Sequence, residues 1–305
     1  MEFSFTYPTV GATHDPALVT PTGMKAVLEA AEASGFGAVG FTDHPIPSQR
    51  WLDAGGHDAF DPFTALAFCA AVTERIRLMS NVAVIPYRTP FLLAKMVATV
   101  DVLSDGRTIL GAGTGYLKAE YRALGVEFDE RNELFDEALD TIIAVWSGDE
   151  VVVEGRHFAA PGNSANPKPV QDPHPPIWIG GNSERARDRV ARWGQGWVPF
   201  PTSAALSATA RTPQLENHND LISMLEDLWR RLDRAERAGP VDVHFVCREG
   251  GSPEEDNFDV ESHLSGLGEL EELGVTWVGV PVPGDHLGQT VEVLRRYGEQ
   301  VIRLA

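Results

Sequence analysis

The feature that most constrains this chain is a repeated pairing of a short, unbroken apolar run with a helix-length segment. The clearest instance is Leu78–Pro86, then Pro90–Ser104, then the run from Gly106 into Gly111-Ala112-Gly113-Thr114-Gly115. Apolar runs without alternation belong to strands buried on both faces, the habit of parallel sheets. Parallel neighbours in turn require a crossover of helical length. The pattern recurs from end to end. Strands are predicted at Phe3–Tyr7, Ala38–Thr42, Leu78–Pro86, Gly106–Gly113, Pro176–Gly181, Gly196–Phe200, Val241–Val246 and Val275–Val282. Helices are predicted at Pro21–Ala33, Pro62–Thr73, Pro90–Ser104, Glu130–Trp146, Ser183–Trp193, Leu215–Arg237, Leu264–Leu273 and Leu287–Ile302. Eight such units with no disordered linker predict an α/β protein, one (β/α)8 TIM barrel over residues 1–305. Between the fourth helix and fifth strand, Asp149–Pro176 reads as an insertion. It carries a small hairpin, Val151–Val153 against Arg156–Phe158, turning at Glu154-Gly155. Loops of that length usually serve function.

Composition removes several classes of partner. The chain has 25 basic and 44 acidic residues, a formal charge of −19, which argues against nucleic acid and anionic membranes. The two cysteines, Cys69 and Cys247, read as reduced core thiols. The start shows no signal-peptide pattern and no stretch reads as a membrane span, so a cytoplasmic protein is expected. There is no H-E-x-x-H, and the histidines outside the Asp43-His44 pair are scattered, so no metal site is expected. The absence of G-x-S-x-G leaves no hydrolase nucleophile.

Ligands of parallel barrels bind at the carboxyl ends of the strands, and three segments fall there. Asp43-His44 follows the second strand; a histidine so placed moves protons near neutral pH, and a neighbouring carboxylate can orient it. The alternative is that Asp43 caps the loop and His44 fills a turn. Gly113, Thr114 and Gly115 extend the fourth strand, either as backbone approaching a phosphate or ring, or as a packing-driven glycine cluster. Gly180, Gly181, Asn182 and Ser183 lead into a helix, with Asn182 or Ser183 as the N-cap, and suit an anion such as phosphate. An ordinary capped turn is the alternative. Among the aromatics near strand ends, Tyr7, Trp51 and Tyr116 are candidates to wall a flat ligand.

Together these segments resemble the luciferase-like monooxygenase superfamily, and within it the branch that uses the deazaflavin coenzyme F420. The resemblance is carried by Gly35–His44, Ala94–Arg107, Gly113–Tyr121, and Pro167–Gln171 leading to Pro175–Ser183. It implies a homodimer of barrels binding a flavin-like tricycle, with His44 as proton donor or acceptor and Asp43 beside the ring. It further implies a non-prolyl cis peptide at Asn81–Val82 behind the ring, Gly113–Gly115 along the side chain, Gly180–Ser183 on the phosphate, and the hairpin covering the site. The position four residues after His44, a Trp in relatives that oxidise sugar phosphates, is Ser48, and none of the four lysines (Lys25, Lys95, Lys118 and Lys168) lies after the sixth strand, which points away from that substrate, although Arg50 or Arg211 could still serve. The implied function is an F420-dependent oxidoreductase acting on a small organic molecule. The first rival is an FMN-dependent monooxygenase on the same fold. The second is a flavin- or F420-binding protein without turnover. The −19 charge opposes the acidic tail of F420, so local positive charge is expected from Lys118, Lys168 or Arg50.

Overall fold

The computed structural model describes residues 1–9 and 14–305. Its strands are β1 (Glu2–Thr6), β2 (Ala38–Phe41), β3 (Arg77–Ser80), β4 (Ala83–Val84), β5 (Thr108–Gly113), β6 (Val151–Glu154), β7 (Ala159–Asn163), β8 (Ile177–Gly180), β9 (Gly196–Val198), β10 (Asp242–Phe245) and β11 (Trp277–Val280). The helices are α1 (Pro21–Ser34), α2 (Gln49–Asp53), α3 (Pro62–Val72), α4 (Pro90–Leu103), α5 (Lys118–Ala123), α6 (Arg131–Ser147), α7 (Glu184–Trp193), α8 (Ala204–Ala210), α9 (His218–Arg234), α10 (Val260–Glu272) and α11 (Leu287–Tyr297).

All barrel pairings are parallel, in the order β3-β2-β1-β11-β10-β9-β8-β5, and β3 pairs with β5 to close the ring. This is the TIM barrel that the strand pattern predicts. Every residue of β5 is buried, as expected where helices cover one face and the barrel interior the other. Six strands each give one residue to a cluster of Ala38, Met79, Ile109, Trp178, Val198 and Trp277, which fills the interior as a packed layer. Local signals set the helix ends. Thr20 accepts the Gly23 N–H at the start of α1, and Gly35 at φ 91° ends it. Ser183 caps α7 and Asn217 with Asp220 forms a capping box on α9.

The third strand is interrupted. Leu78 and Met79 pair with Thr108 and Ile109, while Ala83 and Val84 pair with Ala112 and Gly113. Three residues, Ser80–Val82, therefore oppose two, Leu110 and Gly111, and the Asn81–Val82 peptide within this bulge is cis. Glycines of β5 and β8 explain how the bulge fits. A Cβ on Gly113 would lie 2.6 Å from a Val82 methyl, one on Gly111 1.9 Å from the Ser80 carbonyl oxygen, and one on Gly180 3.1 Å from the other Val82 methyl. The close approach that the glycines permit is thus in part the approach of the bulge itself.

Three expectations are corrected. The hairpin's second strand is Ala159–Asn163, not Arg156–Phe158. Residues 155–158 form the turn because Glu137 on α6 accepts the His157 and Phe158 N–H groups, at 2.8 and 2.9 Å, and holds them out of the ladder. The predicted helix from Leu215 begins instead at His218, since Leu215 pairs with Thr202 across a short bridge that closes the loop containing α8. The helix predicted from Leu264 starts at Val260, where the Asp259 carboxylate caps it. No helix among the described residues is long and apolar enough to cross a membrane.

Candidate active site

A cleft of about 1140 Å³ opens at the carboxyl ends of the barrel strands. Its wall includes Asp43, His44, Asn81, Val82, Gly113, Thr114, Gly115, Tyr116, Gly180, Gly181 and Ser183. The barrel therefore brings the three separate sequence segments to one cavity.

His44 is not oriented by its neighbour Asp43. The Asp43 carboxylate is buried and accepts the Val84 N–H at 2.8 Å and two bonds from Arg88, at 2.6 and 2.9 Å. This ties the end of β2 to β4. Successive side chains leave the chain in different directions here, so sequence adjacency does not become contact. The partner of His44 is Glu120, in α5, whose Oε2 lies 3.1 Å from His44 Nδ1. Glu120 is fully buried, and its two oxygens also accept from Tyr87 Oη at 2.9 Å and the Ile46 N–H at 3.3 Å. A carboxylate oxygen only accepts, so His44 Nδ1 is the donating nitrogen of this pair. Nε2 is then bare, with no protein partner among the described residues. Burial first, and then Glu120, push the Tyr87 phenol well above its ordinary range, so it stays a donor.

A second histidine stands beside the first. The His57 ring centroid is 5.1 Å from that of His44, and Trp51 packs on both rings, at 4.6 and 5.4 Å. His57 Nδ1 is 2.9 Å from the Asp58 carbonyl oxygen, which only accepts, so His57 also presents a bare Nε2. Burial, aided by the neighbouring His44, lowers the pKa of His57 and favours this neutral form.

Deeper in the cleft, Ser4 Oγ lies 2.7 Å from Nε2 of His244. Burial takes the pKa of His244 from 6.5 down to about 4. The unfolded chain then binds more protons than the folded one between these values, so stability is fully present above pH 6.5 and falls as pH drops towards 4. At about 1.4 kcal/mol per pKa unit the loss is on the order of 3 kcal/mol. Urea unfolding from pH 7 to 4 should show it, and a His244→Gln variant should show a shallower slope. An unchanged slope would refute a neutral buried His244.

The charge of the cleft is opposite to that of the chain. Arg131, Arg185, Arg189, Arg211 and Arg248 line it, and among the described residues its one acidic wall residue is Asp43, already paired with Arg88. Arg185 and Arg189 are held by Asp136, at 2.8 and 2.6 Å, beside the Ser183 N-cap. The positive charge does not come from the lysines. Lys168 caps α6 by donating to the Val145 carbonyl at 2.6 Å and to that of Gly148, while Lys118 and Arg50 are not part of the wall.

Three of the sequence candidates sit elsewhere than in the wall. Tyr7 is in the core: 1% exposed, stacked on Phe41, its hydroxyl donating to the Leu18 carbonyl at 2.7 Å. Asn182 is fully buried, and Ser183 is the N-cap; the Asn182 amide fastens the Phe200, Thr202 and Pro213 segments together. Trp51 contributes to the site by packing against the two histidines. The hairpin, expected over the site, contributes nothing to the wall because Glu137 holds it against α6. Glu120, Arg88, His57 and the wall arginines other than Arg211 were missed. Glu120 alone had a signal, since it lies within the Gly113–Tyr121 run that carries the family resemblance.

A model of the luciferase-like monooxygenases matches residues 1–217. The chain belongs to that family. The uncharacterized protein Rv0953c of Mycobacterium tuberculosis is 30% identical over 242 residues, covering 79% of this chain and 74% of the relative. Among solved structures, the monooxygenase RslO1 from Streptomyces bottropensis superposes with a TM-score of 0.82 at 20% identity, covering 100% of this chain and 99% of the other. The coenzyme F420-dependent tetrahydromethanopterin reductase from Methanopyrus kandleri superposes with a TM-score of 0.74 at 17% identity, covering 99% of both chains. At such identities the two structures establish a shared fold.

Proposed function

We propose that the protein is an F420-dependent oxidoreductase acting on a small hydroxyl- or carbonyl-bearing organic substrate. The observation that carries this reading is the Glu120–His44 pair, a histidine fixed through Nδ1 with a free Nε2 in a cleft walled by arginines. The cleft also fits the cofactor: Gly180, Gly181 and Ser183 open α7 beside Arg185 and Arg189, a combination suited to a phosphate. Bound F420 would supply the hydride-accepting or hydride-donating carbon, which no side chain can provide.

The protein's own residues do the rest. With F420 held in the cleft, His44 Nε2 would take the hydroxyl proton of an alcohol while the carbinol hydrogen passed as hydride to the cofactor, and would return that proton in the reverse direction. Glu120 keeps the ring in the required tautomer and stabilises the imidazolium that forms. His57 Nε2 accepts a hydrogen bond from the substrate, which favours ligands carrying a donor group. Trp51 and Tyr116 exclude water from the space around His44.

The rival with support of its own is a flavin monooxygenase, favoured by the family's description and by the likeness to RslO1. Titration of the purified protein with F420 and with FMN, followed by cofactor fluorescence, separates them. Tighter binding of F420 is expected. Micromolar binding of FMN with no measurable binding of F420 would overturn the proposal in favour of the monooxygenase.

A further inference from the structure

A proton taken up by His44 must leave before the next cycle, and the surroundings of the ring narrow the ways out. The His44 side chain is 12% exposed and lines the cleft, so bound ligands cover it further. Glu120, on Nδ1, is fully buried and holds the Tyr87 and Ile46 donors as well. Trp51, 4.6 Å away between ring centroids, has an indole N–H that only donates. Tyr116, at 6.2 Å, carries a phenol that burial pushes above its ordinary range, so it keeps its own proton. Among the described residues, the one further base whose ring packs on His44 is His57, at 5.1 Å and nearly perpendicular to it at 82°.

His57 is arranged to receive a proton and let it go. Its Nδ1 is committed to the Asp58 carbonyl, so the free nitrogen is Nε2, as in His44. Both rings belong to the wall of one cleft, and Trp51 packs on both and keeps them side by side. His57 is half-buried on a loop whose Ala54, Gly55 and Asp58 are exposed, so a proton on it lies beside bulk water. Burial, the largest influence, and the His44 ring disfavour a charge on His57, while the Asp58 carbonyl, the Asp58 carboxylate and Glu120 favour one. Two imidazolium ions this close repel, so the pair carries one proton at a time and hands it on rather than storing it.

We infer that His57 is a proton-relay residue, which takes the proton from His44 Nε2 and passes it to solvent. This rests on the role given to His44 above, and it comes into play once the product has left and no longer occupies His57 Nε2. One water, making two hydrogen bonds of about 2.9 Å each, spans rings this close. The N–H bond on His44 Nε2 breaks as one forms on His57 Nε2, and that bond then breaks to water. No electrons change hands, and both rings return to the neutral form.

The test is the exchange of the His44 imidazolium Nε2 proton with water, read by nitrogen-15 magnetic resonance of histidine-labelled protein. It is run at a pH where the His44 ring is charged, on the whole chain loaded with whichever of F420 and FMN it binds. His57→Gln keeps a hydrogen-bonding side chain that carries no proton. It should slow exchange by on the order of 10²-fold, the low end of what a positioned acid or base contributes. His57→Ala should be slowed alike, and free imidazole at tens of millimolar should restore it, while wild type should not respond to imidazole. Exchange as fast in both variants as in wild type would overturn the relay. So would slow exchange in His57→Ala that imidazole leaves unchanged, which would make His57 a packing partner of Trp51. Binding of FMN without F420 would overturn the F420 reading alone, because exchange in the FMN-loaded protein still decides the relay. Binding of neither cofactor would overturn both.

Discussion

His44→Ala should lower turnover by roughly 10²–10⁴-fold, the usual worth of a positioned general acid or base. The size follows from the geometry: among the described residues, His44 is the one cleft side chain whose ring is fixed by a buried carboxylate and whose second nitrogen has no protein partner. Cofactor affinity should change only a few-fold, because the arginines and the Gly180–Ser183 turn belong to other loops. Steady-state kinetics of the F420-loaded enzyme, paired with fluorescence titration of cofactor, measures the two effects separately. If rate and affinity fall together, His44 packs against the ligand and moves no proton. Glu120→Gln keeps an acceptor for Nδ1 while removing the charge, and should cost less than His44→Ala. A Glu120→Gln enzyme with full activity would show that the carboxylate serves only the fold.

The second large effect concerns stability. Asp43 is 2% exposed and gives both oxygens to Arg88 while accepting the Val84 N–H. Asp43→Ala strands a largely buried guanidinium, leaving it the half-exposed Asp61 at 2.9 Å as its remaining partner. Removing one member of a buried pair costs about 3–5 kcal/mol. Urea unfolding at pH 7 should show the unfolding free energy falling by that amount, as a lower midpoint with an unchanged slope. A loss below about 1 kcal/mol would mean that water or Asp61 takes over, and that Asp43 does not brace the end of β2. Because the brace runs from β2 to β4, the surviving folded protein should also bind cofactor more weakly. Asp43 thus acts on the site through the backbone that carries His44 and the Asn81–Val82 bulge.

Much of this protein is legible from its residues. Unbroken apolar runs such as Ile177–Ile179 can only be strands buried on both faces, and the helical stretches between them dictate parallel crossovers. Capping residues then mark the boundaries: Thr20 and Gly35 around α1, Ser183 at α7. The barrel's rule that strand ends carry the chemistry puts His44, Gly113–Gly115 and Gly180–Ser183 on one face before any coordinate is known. What could not be read is which side chains meet there. Asp43 and His44 are adjacent in sequence, yet one faces Arg88 and the other Glu120, 76 residues away, because contact at a strand end depends on the direction of each Cα–Cβ bond. The charge of the cleft is equally hidden. A sum of −19 counts every surface carboxylate alike, whereas folding pairs Asp43 with Arg88 and collects five arginines from four separate segments around one cavity. Periodicity and capping are local properties and survive in the sequence. Pairing and field are sums over residues far apart, and only the closed barrel decides them.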